Sequence, residues 1–169
     1  MVCCVTGHRP NGFPFPREKN AKQYENYLYR LRREMELLYN KGYRSFYFGM
    51  AEGADLDFAE AVLDFRAGEK VAVTLHAALP YPARPHIRET KYNVKRDEIL
   101  AQSDYVYVVS PQYDRGCMQR RNCYMVDHSD LVLAIWNGKE MGGTWNTIKY
   151  ARSKGKNIRY IMLNEICEK

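Results

Sequence analysis

Met1-Val2-Cys3-Cys4-Val5-Thr6-Gly7-His8-Arg9-Pro10 opens the chain with an apolar, strand-like run that ends in a glycine-bearing loop. The same pattern recurs twice. Phe46-Tyr47-Phe48 runs into Gly49-Met50-Ala51-Glu52-Gly53-Ala54-Asp55, and residues 131–136 are followed by Gly142-Gly143-Thr144. In an open parallel sheet, the loops leaving the carboxyl ends of the strands gather along one edge. Glycines there let backbone N–H groups approach an anion, and a helix N-terminus adds partial positive charge. Three such loops predict a site for a phosphorylated ligand, either a nucleotide or a sugar phosphate.

The rest of the chain alternates strand and helix signals. Strands are expected over residues 1–6, 44–48, 70–79, 105–110, 131–136 and 157–163. Helices are expected over 17–41, 55–66, 88–102, 117–128 and 144–154. The first helix carries Tyr24, Tyr27, Leu28, Leu31, Met35 and Leu38 on one 3.6-period face. Gly42, Gly68 and Gly155 supply stops. A six-fold βα alternation implies a Rossmann-like α/β/α domain with a mostly parallel, roughly six-stranded sheet. Residues 1–169 read as a single domain without linker or repeat. The proline-bearing stretches 10–19 and 80–87 are loops or lids leaving strand ends.

Composition narrows the function. Hydrophobic residues make up 46% of the chain, yet no run is long enough to span a membrane. The first residues read as a strand rather than a leader, which predicts a cytoplasmic protein with no membrane partner. Five cysteines without a C-x-x-C pair, and four histidines without ligand spacing, give no expectation of a disulfide framework, a metal or a cofactor. Cys3 and Cys4 read as small residues buried in a strand. The net charge of +6 suits an anionic partner. Its clusters, over residues 84–96, 115–121 and 149–159, read first as solvated helix faces and second as a nucleic-acid surface.

Several residue groups carry candidate chemistry. Gly7 permits a tight turn, with His8 and Arg9 placed to hold a phosphate. Gly49 and Gly53 suit a backbone that bends and admits a ligand. Asp55 either caps the following helix or contacts a ribose hydroxyl. Gly142, Gly143 and Thr144 open a helix, with Thr144 as its cap. Phe13, Phe15, Tyr81 and Trp145 lie near these loops, where a ring either stacks on a base or packs in the core.

The T-G-H-R-P start, the G-M-A-E-G-A-D-L-D-F-A-E stretch and the R-N-C-Y-M-V-D-H-S-D…G-G-T ending together resemble the YpsA-like branch of the SLOG superfamily. That superfamily unites DNA-processing proteins of the Smf/DprA type with cytokinin-activating phosphoribohydrolases of the LOG type. The resemblance implies a Rossmann-like fold and a nucleotide-derived ligand. The LOG-type motif is similar to M-x-x-R-K-x-x-M followed by P-G-G-x-G-T-x-x-E. Met118, Arg121, Met125 and Asp130 fall at matching spacing, so Arg121 takes the place of the motif's functional arginine. Asn122 replaces the lysine, a proline and a glycine are missing, and Asn146 or Thr147 stands where the glutamate belongs. Neither moves a proton, and positioned acid–base groups contribute roughly 10²–10⁴ in rate.

The leading expectation is therefore binding of a nucleotide or an ADP-ribose-like nucleotide-sugar, with a sensing or regulatory role. The ligand residues would be Gly7, His8, Arg9, Gly49, Gly53, Asp55, Arg121, Asn122, Gly142, Gly143 and Thr144. The alternative is a nucleoside-monophosphate phosphoribohydrolase, for which Arg121, Asp127 and Glu52 are the secondary catalytic candidates. Single-stranded DNA binding in the DprA manner ranks third. If the chain self-associates, a two-fold homodimer is the expected assembly.

Overall fold

The computed structural model describes residues 1–18, 21–82 and 90–167. Six strands, β1 (Val2–Gly7), β2 (Ser45–Phe48), β3 (Thr74–Leu79), β4 (Tyr105–Val108), β5 (Leu131–Trp136) and β6 (Asn157–Met162), form one sheet. Their spatial order is β4-β3-β2-β1-β5-β6. Every pairing is parallel. The helices α1 (Lys22–Asn40), α2 (Ala54–Glu69), α3 (Lys91–Ala101), α4 (Cys117–Asp127), α5 (Gly142–Ser153) and α6 (Asn164–Cys167) connect them or follow them. This is the Rossmann-like three-layer architecture that the alternation predicts.

The central strand explains the layers. Cys3, Cys4 and Val5 are fully buried, because β1 has neighbours on both edges and helices on both faces. Alternate residues serve different cores. Cys3 and Val5 join the larger core with Leu31, Met35 and Phe58 from α1 and α2. Cys4 joins a smaller one with Met125 of α4 and Ala151 of α5. The chain runs outward from β1 through β2 and β3 to β4, then crosses back to place β5 on the other side of β1. That reversal opens a crevice at the carboxyl ends of β1 and β5.

Three boundaries differ from expectation. The first helix begins at Lys22, not at residue 17. Phe13 and Phe15 turn into the core against Tyr27, and Arg17 holds both carboxylate oxygens of Asp57 at 2.7 Å. The strap before α1 is thus tied to α2. The second helix runs through Gly68 to Glu69 and stops where Lys70 adopts a left-handed φ of 53°, which delays β3 to Thr74. β4 is only four residues long. Of the proposed loop 80–87 and the helix start at 88, residues 83–89 lie outside the described residues, as do residues 84–89 of the first basic cluster and residue 19 of the earlier loop. No described helix is long and apolar enough to cross a membrane.

The join between β1 and α2 is tight. A Cβ on Gly7 would stand 2.4 Å from the Ala54 Cβ and 3.0 Å from that of Ile135. Gly7→Ala should lower stability by about 1–3 kcal/mol, the range for overpacking a core contact. Urea denaturation would show a lower midpoint, and an unchanged midpoint would mean that the loop yields freely.

Candidate functional site

The crevice at the carboxyl edge holds a cavity of about 250 Å³. Its walls come from four segments far apart in sequence. The β1 end contributes Thr6, Gly7, His8, Arg9 and Gly12. The β2–α2 connection contributes Ala51 and Asp55, α4 contributes Arg121, Asn122 and Met125, and α5 contributes Gly143 and Thr144.

Arg121 dominates the electrostatics. It is 5% exposed, and neither its Nε nor its Nη1 has a hydrogen-bond partner. Its nearest counter-charge is the Asp55 carboxylate, whose Oδ2 lies 3.7 Å from Nη1. That is an ion pair without a hydrogen bond. Burial lowers the guanidinium's pKa against the pull of Asp55. Burial likewise pushes the Asp55 carboxyl up, with Arg121 and the amide of Ala51 opposing. Both partners are thus shifted toward neutrality, so their attraction does not offset the loss of water around them.

The glycines serve this arrangement in different ways. At Gly49 a Cβ would lie 1.8 Å from the Arg121 Nη1. The missing side chain leaves the space that the guanidinium fills. At Gly53, with φ of +102°, a Cβ would lie 2.5 Å from the His8 carbonyl oxygen. That carbonyl accepts the Ala54 N–H at 3.1 Å. The first amide of α2 is therefore spent inside the protein. Asp55 does not cap its helix: the cap position is Gly53, and the carboxylate accepts instead from the Ala51 N–H at 3.2 Å.

His8 stands on the opposite wall. A Cβ at Gly12 would come within 2.6 Å of its ring. Its Nε2 is buried without a partner. Burial lowers its pKa, against Asn137, so the imidazole is neutral at pH 7. Asn137 also donates to the Gly12 carbonyl at 2.9 Å and bridges the β5 end to the turn after His8. The first turn of α5 presents Gly143 and Thr144 to the cavity, and no side chain caps it. Thr144 is the third residue of the helix, not its cap.

Some candidates stand elsewhere. Gly142 begins α5 in a left-handed conformation, is exposed and does not line the cavity. Glu52 is exposed and also outside the lining. Asp127 sits at the far end of α4, where it accepts from the Tyr150 hydroxyl at 3.0 Å. Phe13 and Phe15 pack in the core, and Trp145 stacks on Trp136 at 5.5 Å. Tyr81 meets Tyr113 edge-on. Among the described residues, no aromatic ring other than that of His8 lines the cavity. Among the described residues, no group of three or more metal-ligating side chains comes together. Gly12 and Asn137 belong to the site or its support, and the motifs do not single them out. The turn-forming pairs Asn11-Gly12 and Asn137-Gly138 were their only signal.

Residues 3–166 match the family model described as YspA SLOG family (YpsA). A search of curated proteins finds no match.

The state of Asp55 is testable by pH. A carboxyl whose pKa rises on folding binds its proton more tightly in the native state, so its ionisation costs stability. The wild type should lose stability relative to Asp55→Asn as pH rises above about 4. Urea midpoints of both proteins between acid and neutral pH check this. A wild type that gains on the variant over that range would show the ion pair to be net stabilising.

Proposed function

The chain belongs to the YspA SLOG family, and we propose that it binds a nucleotide or nucleotide-sugar whose phosphate sits on Arg121. Membership points to nucleotide-related binding or glycosidase-type chemistry. The observation that carries the finer reading is the buried guanidinium with two unpaired nitrogens beside an open cavity. An unpaired buried donor costs about 1–3 kcal/mol, more when charged. A phosphate oxygen would remove that cost and supply the counter-charge that Asp55 gives incompletely. The uncapped first turn of α5, with Gly143 and Thr144 at the wall, would add amide donors and dipole. Arg9, exposed at the rim, would meet a second anionic group.

Size supports the same ligand class. Pockets that enclose whole drug-sized molecules run from roughly 300 to 1,000 Å³. A cavity of about 250 Å³ holds a phosphate and a sugar and leaves the base or a second group outside.

Binding is favoured over hydrolysis because of the carboxylates. Asp55 is the only carboxylate among the described residues of the lining, and Ala51 and Arg121 already engage it. Glu52 and Asp127, the other acidic candidates, stand outside. With no second carboxylate among the described lining residues to pair with Asp55, a sensing or regulatory role fits better than turnover.

Titration calorimetry with nucleoside mono- and diphosphates and with ADP-ribose tests the reading. Arg121→Met should weaken phosphate-dependent binding by about 10- to 100-fold, the worth of a charged hydrogen bond. Arg121→Met alone should lower the melting temperature by leaving the buried Asp55 carboxylate unpaired, whereas Arg121→Met with Asp55→Asn, which removes both charges, should recover it. Equal affinity in wild type and variant, or release of free base by the wild type, would overturn the proposal.

A further inference from the structure

We propose that the Asp55 carboxylate filters the anion taken by Arg121 according to its charge, admitting a phosphate group that bears one negative charge and rejecting doubly charged oxyanions. This filter presupposes the phosphate seat at Arg121 and narrows its ligand. The seat is not purely cationic. Asp55 and Arg121 both line the cavity, with Oδ2 3.7 Å from Nη1, and both side chains are less than a tenth exposed. An anion on the guanidinium therefore comes close to a buried carboxylate. Burial already pushes that carboxyl up, against the opposing pull of Arg121, of the Ala51 and Gly49 amides and of Arg9.

The ion pair is neutral as a whole before a ligand arrives. A phosphate with two charges would leave two negative charges uncompensated in a volume of about 250 Å³. Little water screens them there. Two anionic groups that share such a site keep a proton between them. The other groups near Asp55 do not relieve the excess. Burial holds Tyr92 of α3 above the ordinary tyrosine range and lifts the Cys4 thiol of β1 to about 12, so neither changes its charge near pH 7. His8, across the cavity, is neutral. Arg9 stands exposed at the rim, where water and salt weaken its field.

Asp55 has the acceptor positions to hold the proton. A carboxylate offers about four. The Ala51 N–H takes one at 3.2 Å, and the Gly49 amide adds its pull. A phosphate monoester that keeps one proton donates its P–O–H to the carboxylate. Its other oxygens accept from the Arg121 Nε and Nη1, which have no partner in the protein. Hydrogen bonds between such charged groups are the strong kind. One negative charge is then left over, and it faces the uncapped start of α5. A phosphate within a diphosphate bridge carries a single charge already, and there an adjoining sugar hydroxyl is the donor to Asp55.

Inorganic phosphate and sulfate are tetrahedral ions of similar size, and sulfate holds no proton near neutral pH. Melting-temperature shifts of the full chain in millimolar phosphate or sulfate at pH 7 compare their affinities. The wild type should prefer phosphate by at least about tenfold, the worth of one charged hydrogen bond. Asp55→Asn keeps the shape and presents an amide N–H to either ion, so it should bind the two equally. Above the second ionisation of phosphate, wild-type affinity for it should fall by up to about tenfold per pH unit, because the complex holds a proton that the free ion has lost. The same profile should be flat in Asp55→Asn. Equal binding of both ions by the wild type, or a preference and pH profile that survive Asp55→Asn, would overturn the filter, and the seat would stand if Arg121→Met still abolished binding. A wild type that binds neither ion, or binding that Arg121→Met leaves unchanged, would remove the seat and the filter together.

Discussion

A guanidinium held out of water beside a carboxylate it does not hydrogen-bond is the constraint around which the carboxyl edge of this protein is arranged. Transfer of a charged group into a protein interior costs several kcal/mol even after relaxation. At 3.7 Å, and with both pKa values moved toward neutrality, Asp55 returns only part of that for Arg121. The fold nevertheless reserves the space. Gly49 yields the volume of a methyl group to the guanidinium, and Ala51 steadies the carboxylate through its amide. Apolar residues of the same size would stabilise the crevice better. The cost makes sense if a third charge completes the set.

The surroundings of the pair are rigid where they need to be. His8 is fixed by the Ala54 amide on its carbonyl and by the lack of a side chain at Gly12. The strap that follows is anchored by Phe13 and Phe15 in the core and by Arg17 on the fully buried Asp57. Asn137 ties that turn to the end of β5. Four distant segments are thereby held around one small volume, where Arg121, the His8 Nε2 and the uncapped start of α5 all present uncommitted polarity.

The fold was largely readable from the sequence because strand and helix periodicities are strong and the glycines punctuate them. The starting point of α1 was not, since Arg17 continues a helical pattern and is diverted only by a carboxylate forty residues away. Gly68 reads as a stop, yet it occupies an ordinary helical position near the end of α2. At the crevice, the loops were identifiable but their division of labour was not. Gly49 reads like a phosphate-loop glycine. Its actual duty depends on α4 lying opposite β2, which no local pattern encodes. Asp55 reads equally as a cap or a ribose contact, and pairs with a residue sixty-six positions on. Asn137 lies in a turn and acquires a role only through the packing of β5 against β1.

The central claim is that Arg121 awaits an anion from solution. A crystal of the protein soaked with a nucleoside monophosphate or with ADP-ribose tests it most directly. The account predicts electron density for a phosphate within hydrogen-bond distance of the Arg121 guanidinium, with the start of α5 as its second neighbour. Density for the phosphate elsewhere, with the Arg121 pocket empty at saturating ligand, would contradict it.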